Sequence, residues 1–268
     1  MGIYRVNAQN GEFTPIVRAE PPASLQAHQV SPDGNIFIYE RQDNPKEPFR
    51  ILSRNLTTGE EKQLYAGDPE SGRLSISLSP DGRWLVFINL DKKKVLRVLP
   101  VSGGESKELL RFEEERSYFS SIEWTPDGKY ILFPRVHPTQ DKPKFALWRI
   151  AAEGGEPEEL NLVMANFEKL SVHPDGEHLA LSSPGFTMKS PAVWVMENFL
   201  PPALARASGT TLTVRRLENP PADAPLSEVS PDGRYLSFKD WRTGDLAIRD
   251  LQTGKDRRLT SEGTEGDE

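Results

Sequence analysis

The stretch "SPDGRWLVFINL" (79–90) sets a Pro-Asp-Gly turn directly before a run that is almost wholly apolar. Four relatives of it occur: "SPDGNIFIYE" from Ser31, "TPDGKYILFP" from Thr125, "HPDGEHLALS" from His173 and "SPDGRYLSFK" from Ser230. The turns begin at 31, 79, 125, 173 and 230, so successive spacings are 48, 46, 48 and 57 residues. A unit recurring at such a period marks a solenoid, a propeller or an array. One supersecondary unit is therefore built several times.

Within the unit, Pro80 presets φ at the second turn position and Gly82 supplies the left-handed conformation after Asp81. A type I turn closed by such a Gly predicts a three-residue hairpin loop between antiparallel strands. The strand that follows is apolar on both faces: Trp84, Leu85, Val86, Phe87, Ile88. A sheet with one wet face would alternate apolar and polar residues, so this strand calls for packed neighbours above and below. A polar segment (91–94), a third strand (95–101), a second tight turn ("SGGE", 102–105) and a short fourth strand complete the unit. The second turn returns as "QNGE" (9–12), "TTGE" (57–60), "EGGE" (153–156) and "QTGK" (252–255).

Four antiparallel strands make a propeller blade, and blades set about an axis bury both faces of their inner strands. The expected fold is all-β, a β-propeller of four-stranded antiparallel blades. A two-sheet sandwich would not repeat two turn types in one order at one period. The expected layout is a single domain over 1–268: a half blade at 2–18, five blades at about 25–66, 73–111, 118–162, 168–217 and 225–260, and a polar tail at 261–268. The half blade "IYRVNAQNGEFTPIV" (3–17) lacks an inner pair, and "TLTVRRL" (211–217) serves as the outer strand that lengthens the last spacing. Closure is then expected either as an open six-position ring that self-associates through its incomplete blade, or as five blades with the N-terminal hairpin at the seam.

Net charge is −7 and the isoelectric point is near 5.3, which argues against a phosphate-binding surface and against nucleic acid as partner. The absence of cysteine excludes disulfides, thiolate catalysis and Cys-based zinc sites. No apolar run reaches the length of a membrane span, so direct membrane insertion is not expected. The start "MGIYRVNAQNGEF" has neither the basic and apolar regions of a signal peptide nor, with Val6 in place, a myristoylation signal. The chain itself shows no address.

Of the four histidines, His28 sits in an inner strand and His173 replaces the Ser or Thr that opens the turn, so both read as structural. His173 and His178 lie five apart across a turn, which matches no common ligand spacing. No H-E-x-x-H, EF-hand loop, Gly-rich phosphate loop or G-x-S-x-G occurs, and no residues remain for a hydrolase domain. The expectation is no catalytic residue, no metal and no cofactor. The "NLT" at Asn55 reads as a chance sequon, and Lys92, Lys93 and Lys94 read as a solvated loop.

The turn signature, the apolar strand and the segment "FALWRIAAEGGEPEEL" (145–160) closely resemble the WD-like repeats of bacterial TolB-type β-propellers, over roughly residues 2–260. The resemblance implies a non-enzymatic scaffold that binds a protein or peptide partner, in the periplasm, with the cytoplasm as alternative. It leaves open a gating or sensor propeller of a larger peptidase or receptor chain. A sugar- or metabolite-binding propeller with lyase-like activity is weaker, for want of clustered histidines. "VWVMENFLP" (193–201) resembles the last strand of large propellers of this type and residues 229–260 their first blade, an order that implies an excerpt, a permutation or a rearrangement.

Both tight-turn families join strands at one face of the disc. The opposite face carries longer loops: 41–48, 111–119, 134–143, 182–191 and 240–244. Loops on a rigid scaffold concentrate binding residues, and Arg and aromatic side chains make the best anchors. The candidates are Arg41, Tyr118, Arg135, His137, Phe186 and Trp241.

Overall fold

A hydroxyl explains why the repeated turn opens with Ser or Thr. At the first turn the Gly34 N–H donates to the Ser31 carbonyl at 2.8 Å, and the Ser31 N–H donates to the Ile36 carbonyl at 2.7 Å. The Ser31 carbonyl is then occupied, so the Ile36 N–H donates to Ser31 Oγ instead, at 2.8 Å. That hydroxyl donates in turn to Asp33 Oδ1 at 2.5 Å, and the same oxygen accepts the Asn35 N–H at 3.1 Å. Four residues lie between the bonded pair, one more than the expected three-residue loop, because a side-chain oxygen stands in for a backbone carbonyl. The hydroxyls of Ser79, Thr125 and Ser230 repeat the arrangement, accepting the N–H five residues on at 2.9, 3.0 and 2.8 Å.

The structure is a computed structural model that describes residues 1–7, 12–67, 74–89, 94–112, 121–137, 144–164, 169–184, 191–197, 213–216, 228–230, 232, 234–240, 243 and 245–260. Strands β1 (Gly2–Val6) and β2 (Phe13–Arg18) form a two-stranded hairpin. The first four-stranded sheet is β3 (Ser24–Val30), β4 (Ile36–Gln42), β5 (Arg50–Asn55) and β6 (Glu61–Ala66). The second is β7 (Leu74–Leu78), β8 (Trp84–Asn89), β9 (Val95–Pro100) and β10 (Lys107–Arg111). The third is β11 (Glu123–Trp124), β12 (Tyr130–His137), β13 (Lys144–Ala151) and β14 (Glu158–Met164). The fourth is β15 (Lys169–Val172), β16 (His178–Pro184), β17 (Pro191–Glu197) and β18 (Thr213–Arg216), the last of these inside the expected outer strand. The fifth is β19 (Glu228–Val229), β20 (Tyr235–Asp240), β21 (Asp245–Asp250) and β22 (Asp256–Arg258). Each is an antiparallel meander in chain order. Among the described residues no helix is long and apolar enough to cross a membrane.

Two compact units divide the chain. One holds Met1–Val6, Glu12–Val136 and Trp148–Glu159; the other holds Asn7–Gly11, His137–Leu147 and Leu160–Glu268. In the first unit, β8 shows what an apolar strand without alternation is for. Leu85 and Phe87 join Ile38, Ile51 and Leu64 of the first sheet, while Val86 and Ile88 join Ile131, Phe133 and Ile150 of the third. All four β8 side chains are 0% exposed. Successive strand residues point to opposite faces, so one strand fills two cores. Trp84 departs from the expected burial and is 43% exposed, because it stands at the turn end of the strand beyond the reach of either core.

Polar contacts tie the sheets of this unit together as well. The buried Glu40 accepts the Leu74 N–H at 3.0 Å through Oε1 and meets His28 Nε2 at 3.0 Å through Oε2. His28, read from the sequence as structural, thus makes a contact with this buried carboxylate. The Trp124 indole N–H donates to the Ser77 carbonyl at 3.1 Å, and the Ser77 hydroxyl donates to Glu123 at 3.0 Å. The hairpin lays Val17 and Ile16 against Leu25, Phe37 and Tyr39 of the first sheet.

Candidate functional site

In four of the sheets the two tight turns meet at one end. The Leu56, Val101, Ala152 and Leu251 N–H groups, each opening a second turn, donate to Asn35, Arg83, Lys129 and Arg234 carbonyls at 2.8 to 2.9 Å. Each of those carbonyls closes a Pro-Asp-Gly turn. In the first unit, lysines extend this stitching from sheet to sheet: Lys62 Nζ donates to the Ser102 carbonyl, and Lys107 Nζ donates to the Glu153 carbonyl at 2.7 Å.

Where the turn ends of the second and third sheets face each other they leave an open groove of about 1290 Å³. Trp84, Trp124 and Tyr130 supply its aromatic surface, and Glu105 and Glu153 lie on its rim. The cations on its walls are already engaged. Arg83 Nε pairs with Asp81 Oδ2 at 2.7 Å and Lys129 Nζ approaches Asp127 Oδ2 to 3.7 Å. Among the described residues the carboxylates of Glu105 and Glu153 meet no cation. Its lining thus sets Asp81, Asp127, Glu105 and Glu153 against Arg83, Lys107 and Lys129, a small excess of negative charge in a groove with a half-exposed indole, an arrangement suited to a cationic side chain over the ring face. The turn backbone at Gly82, φ 70°, lies so close to Pro32 of the preceding turn that a Cβ there would meet Pro32 Cδ at 3.1 Å.

The long-loop end looks different where it is described. Arg41 Nε pairs with Asp43 Oδ1 at 2.6 Å, and Asp43 also takes the Arg50 guanidinium. Hydrogen bonding to Asp43, partly offset by burial, raises the Arg41 pKa further above its ordinary value. The Arg135 guanidinium stacks 5.2 Å from the centre of the Trp148 ring. His137 closes β12, half-buried. Arg41 and Arg135 are therefore held by neighbours in their own sheets, and none of the three lies in the groove. Tyr118, Phe186 and Trp241 fall outside the described residues.

A second cluster lies on the turn of the fourth sheet. His173 Nδ1 approaches Asp175 Oδ2 to 2.9 Å and His178 Nδ1 approaches the same oxygen to 2.6 Å, with the two rings edge to face at 5.8 Å. Their candidate ligand atoms all lie within 4.8 Å of one another. Burial pushes the Asp175 pKa up, but N–H bonds from Glu177 and His178 and both imidazoles outweigh it and hold the carboxyl at about 2. A five-residue spacing, which matches no common ligand spacing, brings the two rings to one carboxylate here. The His173 N–H donates to the His178 carbonyl at 2.9 Å, so the hairpin makes these two positions a cross-strand pair. The signal was available in the turn itself, which joins its first and sixth residues in every copy.

No family model and no curated protein matches the sequence. Solved structures do. TolB from Acinetobacter baumannii is similar with a TM-score of 0.70 at 15% identity, over 95% of this chain and 59% of that one. The chain thus spans less than two thirds of that TolB. A structure of the nidogen/laminin complex matches with a TM-score of 0.63 at 15% identity, over 95% of this chain and 88% of that one. An oligogalacturonate lyase in complex with manganese matches with a TM-score of 0.62 at 17% identity, over 100% of this chain and 72% of that one. The small antiparallel sheets are arranged as in a β-propeller, and the neighbours are TolB-type propellers among others. Identities this low carry the fold alone. Since an enzyme shares it, the fold does not decide whether this chain catalyses anything.

Proposed function

We propose that this protein is a non-enzymatic, TolB-like propeller scaffold that binds an extended basic peptide segment of a partner protein in the groove between the second and third sheets. The observation that carries the reading is Trp84, 43% exposed at the end of a strand whose next four residues are fully buried. An indole held in water at the end of a strand, in one groove with the carboxylates of Glu105 and Glu153, favours an Arg or Lys side chain laid across it. The net charge of −7 draws the same class of partner from a distance. The missing nucleophile motif supports a binding role over catalysis. In this reading the five four-stranded sheets are full blades, the N-terminal hairpin is a half blade, and the compartment is the periplasm.

Selection of random peptides displayed on phage against the full chain tests the proposal. Lys- and Arg-rich sequences should be recovered, and their binding should fall on Trp84→Ala and on Glu105→Gln with Glu153→Gln. Arg41→Ala with Arg135→Ala should leave that binding intact. Recovered peptides that bind Trp84→Ala as well as the parent, but lose the Arg41 and Arg135 variant, would move the site to the long-loop end. Labelling of one serine by a fluorophosphonate, lost when that serine is replaced, would refute the non-enzymatic reading.

A further inference from the structure

Five copies of one turn in one chain make an internal control, and the copy at His173 breaks the pattern at two positions together. Elsewhere the first residue is Ser31, Ser79, Thr125 or Ser230, and the sixth is Ile36, Trp84, Tyr130 or Tyr235. Here both are histidine. The backbone does not need either. The Gly176 N–H still donates to the His173 carbonyl at 3.0 Å, as the glycines do in the turns at Ser31, Ser79 and Thr125. The His178 N–H, lacking a hydroxyl, turns to Asp175 Oδ1 at 3.1 Å, where the Glu177 N–H also donates at 2.8 Å. Both backbone donors therefore fall on one carboxylate oxygen. They fix the carboxylate and leave Oδ2 facing the two imidazoles.

We propose that His173, Asp175 and His178 form a binding site for a divalent transition metal ion, zinc first among them, with water in the remaining coordination positions. Two imidazole nitrogens and one carboxylate oxygen are a donor set for zinc, nickel or copper(II); calcium and magnesium take oxygen. Metal–ligand bonds of about 2.0–2.2 Å in a tetrahedral site place donors roughly 3.3–3.5 Å apart. The Nδ1–Oδ2 separations of 2.9 and 2.6 Å therefore need to open by less than an ångström, by side-chain rotation alone. The three side chains are 35–40% exposed and free to do so, while the turn backbone stays bonded. The contacts given up are the two Nδ1–Oδ2 pairings, which the metal replaces, and the 3.2 Å approach of the Asp175 N–H to His173 Nδ1. The Oδ1 bonds survive and act as the outer support that orients a ligating carboxylate.

The test uses the full chain without a histidine tag. Calorimetric titration with zinc chloride should show one equivalent bound, and calcium chloride should give no heat of binding. His173→Ser with His178→Tyr turns the site into "SPDGEY", nearly the chain's own "SPDGRY" at Ser230, so this variant keeps a turn the protein already makes. It should melt as the parent does without metal and lose the zinc equivalent. Cobalt(II) added to the parent should give the visible absorption of a nitrogen and oxygen site, a readout independent of any variant. A parent that binds no stoichiometric zinc, a double variant that binds it undiminished, or a cobalt complex without that absorption would overturn the proposal.

Discussion

The turn at Ser79 and the turn at His173 share a backbone and differ in what they do with it. At Ser79 the hydroxyl is the hub: it accepts the Trp84 N–H at 2.9 Å and donates to Asp81 at 2.6 Å. At His173 the hub has moved to Asp175, whose two oxygens divide the work between backbone and imidazoles. The Pro-Asp-Gly core shapes both. What the first and sixth residues carry is thus free to change, and the two sites proposed above exploit that freedom. One copy leaves an indole in water, the other gathers two histidines about a carboxylate.

The largest contrast should come from the glycines. Gly82 and Gly176 both sit in the left-handed region, at φ 70° and 71°. A Cβ on Gly82 would also meet Pro32 Cδ at 3.1 Å, whereas one on Gly176 meets nothing within 4 Å. Gly176→Val should cost about 1–2 kcal/mol for the backbone alone. Gly82→Val should cost about 2–4 kcal/mol, adding displacement of the neighbouring turn. Denaturant unfolding followed by tryptophan fluorescence measures both. Equal losses would mean that the second turn does not depend on its contact with the first.

Next comes the hydroxyl. Ser79→Ala leaves the Trp84 N–H without its acceptor and should cost about 1–2 kcal/mol. His173→Ala should stay within about 0.5 kcal/mol, because the His178 N–H keeps Asp175 Oδ1. If His173→Ala proved the costlier of the two, the imidazole would be holding the turn and the hub would not have moved.

How much of this was legible beforehand varies with the range of the interaction. The unbroken apolar run through Ile88 announced a strand buried on both faces, and the structure puts its alternate residues in two separate cores. The loop is one residue longer than the turn rules predict, because those rules count backbone bonds and here a side chain supplies one. Trp84 reads as core by type; only the end of the sheet, a matter of packing, exposes it. The groove depends on turns from two repeats facing each other, which no local pattern encodes. The pairing of His173 with His178 is not legible from common ligand spacings, which belong to helices and zinc loops, whereas a hairpin pairs positions by its own register.

The smallest expected difference is in acid. The Ser79 hydroxyl, against a smaller push from burial and with help from Arg83, holds the Asp81 pKa at about 2. The hydroxyls of Ser31 and Ser230 likewise lower Asp33 and Asp232, and Asp127 is lowered by Thr125 and Lys129 against burial. Each folded value lies below the unfolded one, near 3.9, so the folded state binds fewer protons. For Asp81 the stabilisation is whole above about pH 4 and is lost as pH falls toward about 2. Asp81→Asn should therefore lower the unfolding midpoint near neutrality and approach the parent as the pH drops through that window. In Ser79→Ala the Asp81 carboxyl loses its hydroxyl donor, so the parent's advantage over Ser79→Ala should also shrink on acidification. For Asp175 the donors are backbone and imidazole, so His173→Ala should change the acid limb less than Ser79→Ala does. Midpoints measured at several pH values for the three variants decide the matter: a gap between the parent and Asp81→Asn that stays constant down to about pH 2 would show that Asp81 acts through the shape of its side chain and not through its charge.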